Sequence, residues 1–405
     1  MKKALVIFFN NFLNDTLGCN SYVMEQVKYL KGNGYRVDFF SFDTEFDNFD
    51  DFNERNEKAG YPIAECRLYR RDGPKEKRKD VRVRVGRWMK RGWSSLRRLL
   101  RGADWRSEFG WMDANAGDFL QEMLDRNQYD YIVIHYIQCA EILKFVRVPE
   151  KTRLVYVMQD ALYLMKGLYD SGLGGALEML PKEIGILQRF DDILCISADE
   201  MRQFKLFLPD KRFFFVPHAL PYRPSPAGST KDIDVLFLGF SNAHNATAVR
   251  WFYDKVFPHL KHRWHIVICG LVWCRLDPDT DFSRRVQESG IERMFFAENL
   301  NDLYARTRLS ICPLQGGTGM KIKVIDSISR DVPVVTTSYG VDGFQDKTES
   351  GLLVADDPVA FAEYIDRMLT DAEFYEKTRQ RSVDYFHGHL SREIVQKTLD
   401  SVFSH

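Results

Sequence analysis

Residues 312–337 read CPLQGGTGMKIKVIDSISRDVPVVTT: the end of an apolar strand, a glycine cluster, two lysines, a helical pattern and a second apolar strand. Gly316, Gly317 and Gly319 lack a Cβ and let the backbone approach a ligand closely. Thr318 and Met320 share the loop, with Lys321 and Lys323 just beyond. A helix expected over about 320–329 offers free N–H groups and its positive dipole end to an anion. Lys323 and Asp326 stand three apart and share a helix face near that end. The lysine suits a phosphate and the carboxylate suits ribose hydroxyls. The competing reading is a plain Lys–Asp surface pair, contributing about 0.3 kcal/mol. Neither standard phosphate fingerprint is present. The loop after the first strand, NNFLNDTLGCN, lacks GxGxxG, and Gly319 is followed by Met320 and Lys321 rather than by the Lys-Ser/Thr of a P-loop.

Outward from this loop, the chain repeats one rhythm twice. In the first half apolar runs at 4–9, 35–42, 131–136, 153–158, 192–196 and 213–216 alternate with longer amphipathic stretches, such as 21–31. A linker with three prolines follows at 221–230, PYRPSPAGST. Apolar runs resume at 234–238, 265–269, 294–296, 309–312 and 332–336, and helical patterns run from 358 to about 404. Strands separated by helix-length segments imply βαβ units and parallel sheets. The expected fold class is therefore α/β, with two Rossmann-like parallel-sheet domains facing across a cleft. The first spans 1–220 and holds a basic amphipathic insertion at 70–107. A linker covers 221–231, the second domain covers 232–385, and a helix at 386–405 is expected to pack back on the first domain. Ligands of such open sheets bind beyond the carboxyl ends of the strands.

The composition is that of an ordinary globular protein, 45% hydrophobic and 28% charged, with zero formal net charge, so whole-molecule attraction to nucleic acid is not suggested. The seven cysteines are scattered without a CxxC pair, which reads as reduced thiols in the cytoplasm. The opening ALVIFF is too short for a signal core, and no apolar run approaches a membrane span. Charge is nevertheless concentrated. Residues 70–106 hold fifteen Lys or Arg against four acids, a local excess of +11. Val85, Trp88, Met89, Leu96, Leu99 and Leu100 fall near helical spacing, with Trp93 at the border and Arg87, Lys90, Arg91, Arg97, Arg98 and Arg101 around them. Such a helix suits an anionic membrane surface. A solvated basic helix packed into its own domain is the plainer alternative. No nucleic-acid motif accompanies it.

The second half resembles a known pattern over essentially all of 232–390. Leu236 to Gly239 followed by Asn245, then ICG at 268–270, ENLNDLYARTRLSICPL, and the block GGTGMKIKVIDSISRDVPVVTTSYGVDGF are similar to the C-terminal domain of GT-B glycosyltransferases. The resemblance implies the retaining enzymes of family four. In these the glycine loop and helix start hold the pyrophosphate of a nucleotide sugar, here UDP- or GDP-linked. A lysine matching Lys323 assists, and a carboxylate matching Asp326 binds the ribose. Two departures stand out. Thr318 occupies the place of a sugar-contacting glutamate, and FSNAHNATAV after the strand at 234–238 offers no Arg or Lys. Neutralising the phosphates then falls on Lys321, Lys323 and backbone amides, with Asn242 and His244 as possible substitutes. In the first half, DYIVIH ends on His135, which the resemblance sets near the reacting sugar, where imidazole donates to a hydroxyl or stabilises developing positive charge. Asp160 follows the next strand and is expected to orient an acceptor hydroxyl, act as base or cap a helix. Gly18 matches a glycine turn near donor and acceptor, with Cys19 in place of its second glycine.

No cofactor or metal is called for. Asp277, Asp279 and Asp281 have DxD spacing but lie in a loop of the GT-B-like half, and His259, His262 and His265 do not share one helix face. The expected function is transfer of a sugar to a glycan, lipid-linked or envelope-polysaccharide acceptor at the inner face of the cell membrane. A nucleotide-sugar epimerase and a catalytically degenerate scaffold subunit are the alternatives.

Overall fold

A computed structural model describes residues 1–9, 18–41, 65–68, 109, 114–170, 172–226 and 228–404. The basic insertion at 70–107, including Arg87, Trp88, Lys90, Arg91, Trp93, Arg97 and Arg98, lies outside the described residues. The chain divides into two compact units. One comprises Met1–Cys195 with Gln203–Phe214, and the other Ile196–Arg202 with Phe215–His405. The proline-rich segment and the terminal helix Arg392–Phe403 fall in the second unit.

Strands of the first unit are β1 (Lys3–Ile7), β2 (Arg36–Ser41), β3 (Glu65–Leu68), β4 (Tyr131–His135), β5 (Arg153–Met158), β6 (Asp192–Cys195) and β7 (Arg212–Phe215). They line up as β3-β2-β1-β4-β5-β6-β7, with parallel pairing from β3 through β6. The second unit has β8 (Ile233–Leu238), β9 (Ile266–Cys269), β10 (Glu292–Met294), β11 (Thr307–Cys312), β12 (Val334–Thr336) and β13 (Leu353–Val354), ordered β10-β9-β8-β11-β12-β13. Both sheets are thus doubly wound. The direction of winding reverses between β1 and β4 in one, and between β8 and β11 in the other. Connections from those adjacent strands leave toward opposite sides, so a crevice opens beyond their carboxyl ends.

Apolar residues on both faces explain the unbroken hydrophobic runs. In the second sheet Val235, Phe237, Ile266 and Ile268 enter the core with Phe361 and Ile365. Their alternates Leu236, Val267 and Cys269 pack with Leu303 and Tyr304 on the other face. The sequence did not indicate β3 or β13. Both are edge strands, four and two residues long, where only one side needs a partner. β10 is displaced from the expected 294–296, which leaves Phe295 and Phe296 exposed beyond its end. The helix after the glycine loop is shorter than expected, Ile322–Ile328, and Lys321 is its N-cap.

Candidate functional site

At the carboxyl end of β4, His135 is completely buried, with the Phe8 ring 5.7 Å and the Tyr22 ring 6.4 Å from its own, both edge-on. Gln159, just past β5, places its Nε2 3.0 Å from His135 Nδ1. An amide nitrogen only donates, so Nδ1 accepts and the ring proton sits on Nε2. Nε2 is buried and has no hydrogen-bond partner among the described residues. Burial pulls the imidazole pKa down to about 3, so the ring is neutral at ordinary pH. His135 is therefore a buried N–H donor in search of an acceptor. Donation to a hydroxyl fits this state. Stabilising positive charge by taking up a proton does not, because the environment disfavours the cation.

The next residue, Tyr136, has φ 66° and ψ 140°, a region a bulky side chain enters only under strain. Its hydroxyl bonds the Cys19 thiol, and burial raises both their pKa values. Asp160 raises them further through its charge, so the three groups neighbour one another. Gly18 opens the helix Gly18–Gly32, which carries Cys19. Asp160 is not the cap of the helix Leu162–Met165: the N-cap is Ala161, without a side-chain bond. Glu183 supplies the acceptors instead.

In the second unit the ends of β8 and β9 meet through glycines. Gly270 has φ +116°, and a Cβ there would lie 2.2 Å from the Gly239 carbonyl oxygen. Gly239 donates its N–H to Cys269 O at 2.9 Å. Asn242 caps the following helix by accepting from Asn245 N at 2.8 Å. Asn245 is buried, its Nδ2 donating to Phe240 O at 2.9 Å. Its Oδ1 accepts from Lys323 Nζ at 2.5 Å, and the same ammonium lies 4.5 Å from the centre of the Phe237 ring. Desolvation pulls the Lys323 pKa down to about 8. A cation in this setting is under-solvated and gains from an anionic ligand.

The glycine loop is held from within. Lys321 Nζ turns back on the carbonyls of Gly319 at 2.7 Å, Thr318 at 3.1 Å and Gly317 at 3.4 Å. Gly317 and Gly319 have φ 114° and 70°. Met320 is buried, and its backbone comes so near Gly343 that a Cβ there would lie 3.2 Å away. Lys321 thus serves the loop rather than standing free for a phosphate. Lys323 and Asp326 do not pair with each other. Asp326 Oδ1 meets Arg330 Nη1 at 2.5 Å, and Arg330 Nε reaches Asn301 Oδ1 at 2.9 Å. Burial raises the Asp326 pKa and Arg330 opposes that rise.

The residues with metal-like spacing make other contacts, and Asp281 lies in the helix Thr280–Glu288 rather than in the loop expected for it. Asp277 pairs with Arg293, and Asp281 with Arg284 at 2.7 Å. Asp279 caps the helix Thr280–Glu288 and holds Arg250 at 3.0 Å. His265 bonds Asp232 O and Glu292, contacts that raise its pKa.

Tyr136, Gln159 as the partner of His135, Glu183 and Arg330 were not singled out for these roles in the sequence. Arg330 alone left a local signal, four residues after Asp326 on one helix face.

Residues 232–371 match the family described as Glycosyl transferases group 1. A Klebsiella pneumoniae protein named "uncharacterized 44.6 kDa protein in cps region" is 25% identical over 265 residues, covering 61% of this chain and 67% of that one. Sucrose-phosphate synthase from Thermosynechococcus elongatus has a similar structure, with TM-score 0.70 and 13% identity over 100% of this chain and 98% of the other. Anabaena HepE, in complex with UDP and glucose, gives TM-score 0.66 and 12% identity over 100% of both. At these identities the structures establish the fold, two α/β units of the GT-B class.

Proposed function

We propose, starting from a glycosyltransferase whose residues 232–371 form a glycosyl transferases group 1 domain, that it moves a sugar from a UDP- or GDP-linked donor to a glycan or lipid-linked acceptor with retention. The observation that carries the donor reading is the under-solvated Lys323 ammonium beside Asn245, at the switch point of the second sheet. There it would meet the diphosphate together with backbone N–H groups of the loop 316–320. Asp326 would accept ribose hydroxyls through the carboxylate oxygen that Arg330 leaves open. Within the first unit, the buried His135 Nε2–H suits donation to a sugar hydroxyl, and Asp160 suits orienting an acceptor hydroxyl. In the reaction the acceptor oxygen forms the new bond to the anomeric carbon. The bond from that carbon to the phosphate oxygen breaks, and the nucleoside diphosphate leaves with the electron pair and takes the acceptor proton. The UDP bound to HepE favours a uridine donor.

A thermal-shift screen of UDP, GDP, ADP and their sugars tests the donor site. A true donor at a hundred times its Kd adds about 2.7 kcal/mol to the stability of the folded state. Silence from every nucleotide would remove the reading.

An envelope polysaccharide as acceptor draws support from the name of the Klebsiella relative, which puts that protein in a cps region. The +11 excess over residues 70–106 supports work at an anionic membrane surface. Among the described residues no helix is long and apolar enough to cross a membrane. Each Lys or Arg near an anionic surface contributes about 1 kcal/mol. Replacing Lys90, Arg91, Arg97 and Arg98 together by glutamine is therefore expected to reduce sedimentation with phosphatidylglycerol vesicles by at least about tenfold. Undiminished binding would rule this surface out.

A further inference from the structure

We propose that Glu183 is a positioning residue for the His135 site. From the helix Gly172–Leu187 it fastens the turn that follows β5, and through that turn it holds Gln159 against the imidazole. Its two carboxylate oxygens are each used once. Oε1 accepts from Leu162 N and Oε2 from Tyr163 N, both at 2.8 Å. These are the first two N–H groups of the helix Leu162–Met165, whose own N-cap Ala161 offers no side chain to them. Unanswered donors at a helix start need an outside partner, and here it comes from 21 residues along the chain. The same end of the turn is anchored a second time by Tyr163 Oη, which donates to Gln203 Oε1 at 2.5 Å.

Only three residues, Gln159 to Ala161, separate the end of β5 from this helix. Gln159 and Ala161 are buried, and Gln159 carries the amide that fixes the His135 tautomer. A carboxylate suits the task because it has two acceptor oxygens and no donor. A glutamine would turn an NH2 toward one of the two N–H groups.

Glu183 is 1% exposed, and this sets two tendencies against each other. Burial pushes its pKa up to about 7, while the two N–H donors pull it back. Among the described residues no ion pair reaches it. Tyr156 on β5 feels its charge and is itself kept neutral by burial, while Lys166 and Lys182 act on Glu178 instead. A raised pKa means that the folded chain binds more protons than the unfolded one between the ordinary carboxylate range and about 7. The stability that this contributes is complete at low pH and is lost as pH rises through about 7. The two-armed cap needs the ionised carboxylate and therefore forms over that same rise. Global stability and local order of the turn move in opposite directions across one pH window.

The consequence for transfer rate rests on the reading of His135 given above. The order of the turn does not, so the two are separable by experiment. Amide exchange of residues 159–165, corrected for intrinsic rates, is followed from pH 6 to 8 in the full chain and in Glu183→Gln. The 15N signals of His135 are recorded in parallel without substrate. In the parent, protection of Leu162 and Tyr163 is expected to rise about tenfold through neutral pH, the worth of one hydrogen bond. Glu183→Gln is expected to lack that rise and to show a mixed His135 tautomer, and the transfer rate of the parent is expected to follow the same midpoint. Protection that ignores pH in the parent overturns the proposal, as does a variant with unchanged exchange and unchanged His135 signals. Should Glu183→Gln fail to fold, the parent pH series decides alone. A missing step in rate with the exchange step present would instead count against the role given to His135.

Discussion

Lys323→Met is expected to lower kcat/KM by about a hundredfold or more, the scale for losing a preorganised charge against a developing anion. The same change is expected to leave the ligand-free protein as stable as before, or more so. Its ammonium is held in a desolvated position with one neutral hydrogen bond to Asn245 and a ring face beneath it. Methionine keeps an unbranched apolar stem over Phe237 and removes a charge that partial burial disfavours. Loss of donor binding together with an undiminished melting temperature is the signature. The pH dependence follows with its sign. The folded-state pKa is lowered to about 8, so above that value the folded chain binds fewer protons than the unfolded one. Ligand-free stability therefore rises with pH from about 8 toward the ordinary lysine range, while donor affinity falls as the ammonium is lost through the same pH. Calorimetric titration with the nucleotide at several pH values checks this. Affinity that is flat across that range, or intact in Lys323→Met, would assign the anion elsewhere.

His135→Ala is expected to reduce kcat by about two orders of magnitude, with little change in donor affinity. The residues proposed to hold the donor all lie in the second unit, and His135 belongs to the first. Removing a fully buried ring also opens a cavity and leaves the Gln159 amide without its acceptor, costing roughly 2–4 kcal/mol. Kinetics should therefore be compared at a temperature where circular dichroism shows both proteins folded. The 15N signals of His135 in the parent should remain those of a neutral ring across about pH 5–8, where an ordinary histidine titrates. A His135 signal that titrates in that range would restore the cationic role that burial argues against. A variant that transfers normally would remove His135 from the chemistry altogether.

The sequence revealed the parts of this protein that depend on periodicity. Runs such as ALVIFF and DVLFL became central strands because both faces of a doubly wound sheet are apolar. Glu65–Leu68 and Leu353–Val354 escaped because edge strands of four and two residues are too short to show a period. The glycine cluster was legible as a turn in the backbone, which positive φ at Gly317 and Gly319 bears out, while its use by a phosphate belongs to the proposal. What the sequence could not show was partnership across long separations. The spacing of Lys323 and Asp326 suggested a pair, yet Lys323 reaches 78 residues back to Asn245 and Asp326 turns to Arg330. Lys321 looked available and is not. Glu183 lies in a helix with no local mark of function, because its role depends on a fold that brings Leu162 to it.

The internal bonding of the 316–321 loop has a thermodynamic consequence. Three of its carbonyl oxygens are already answered by Lys321, and its backward-turning residues are glycines, which hold that shape without strain. A ligand arriving there meets a finished template and surrenders little conformational entropy in settling. Chemical change in the loop is correspondingly decoupled from its shape. Thr318 takes part in this scaffold through its backbone oxygen, so its side chain is open to exchange while the cradle around it persists.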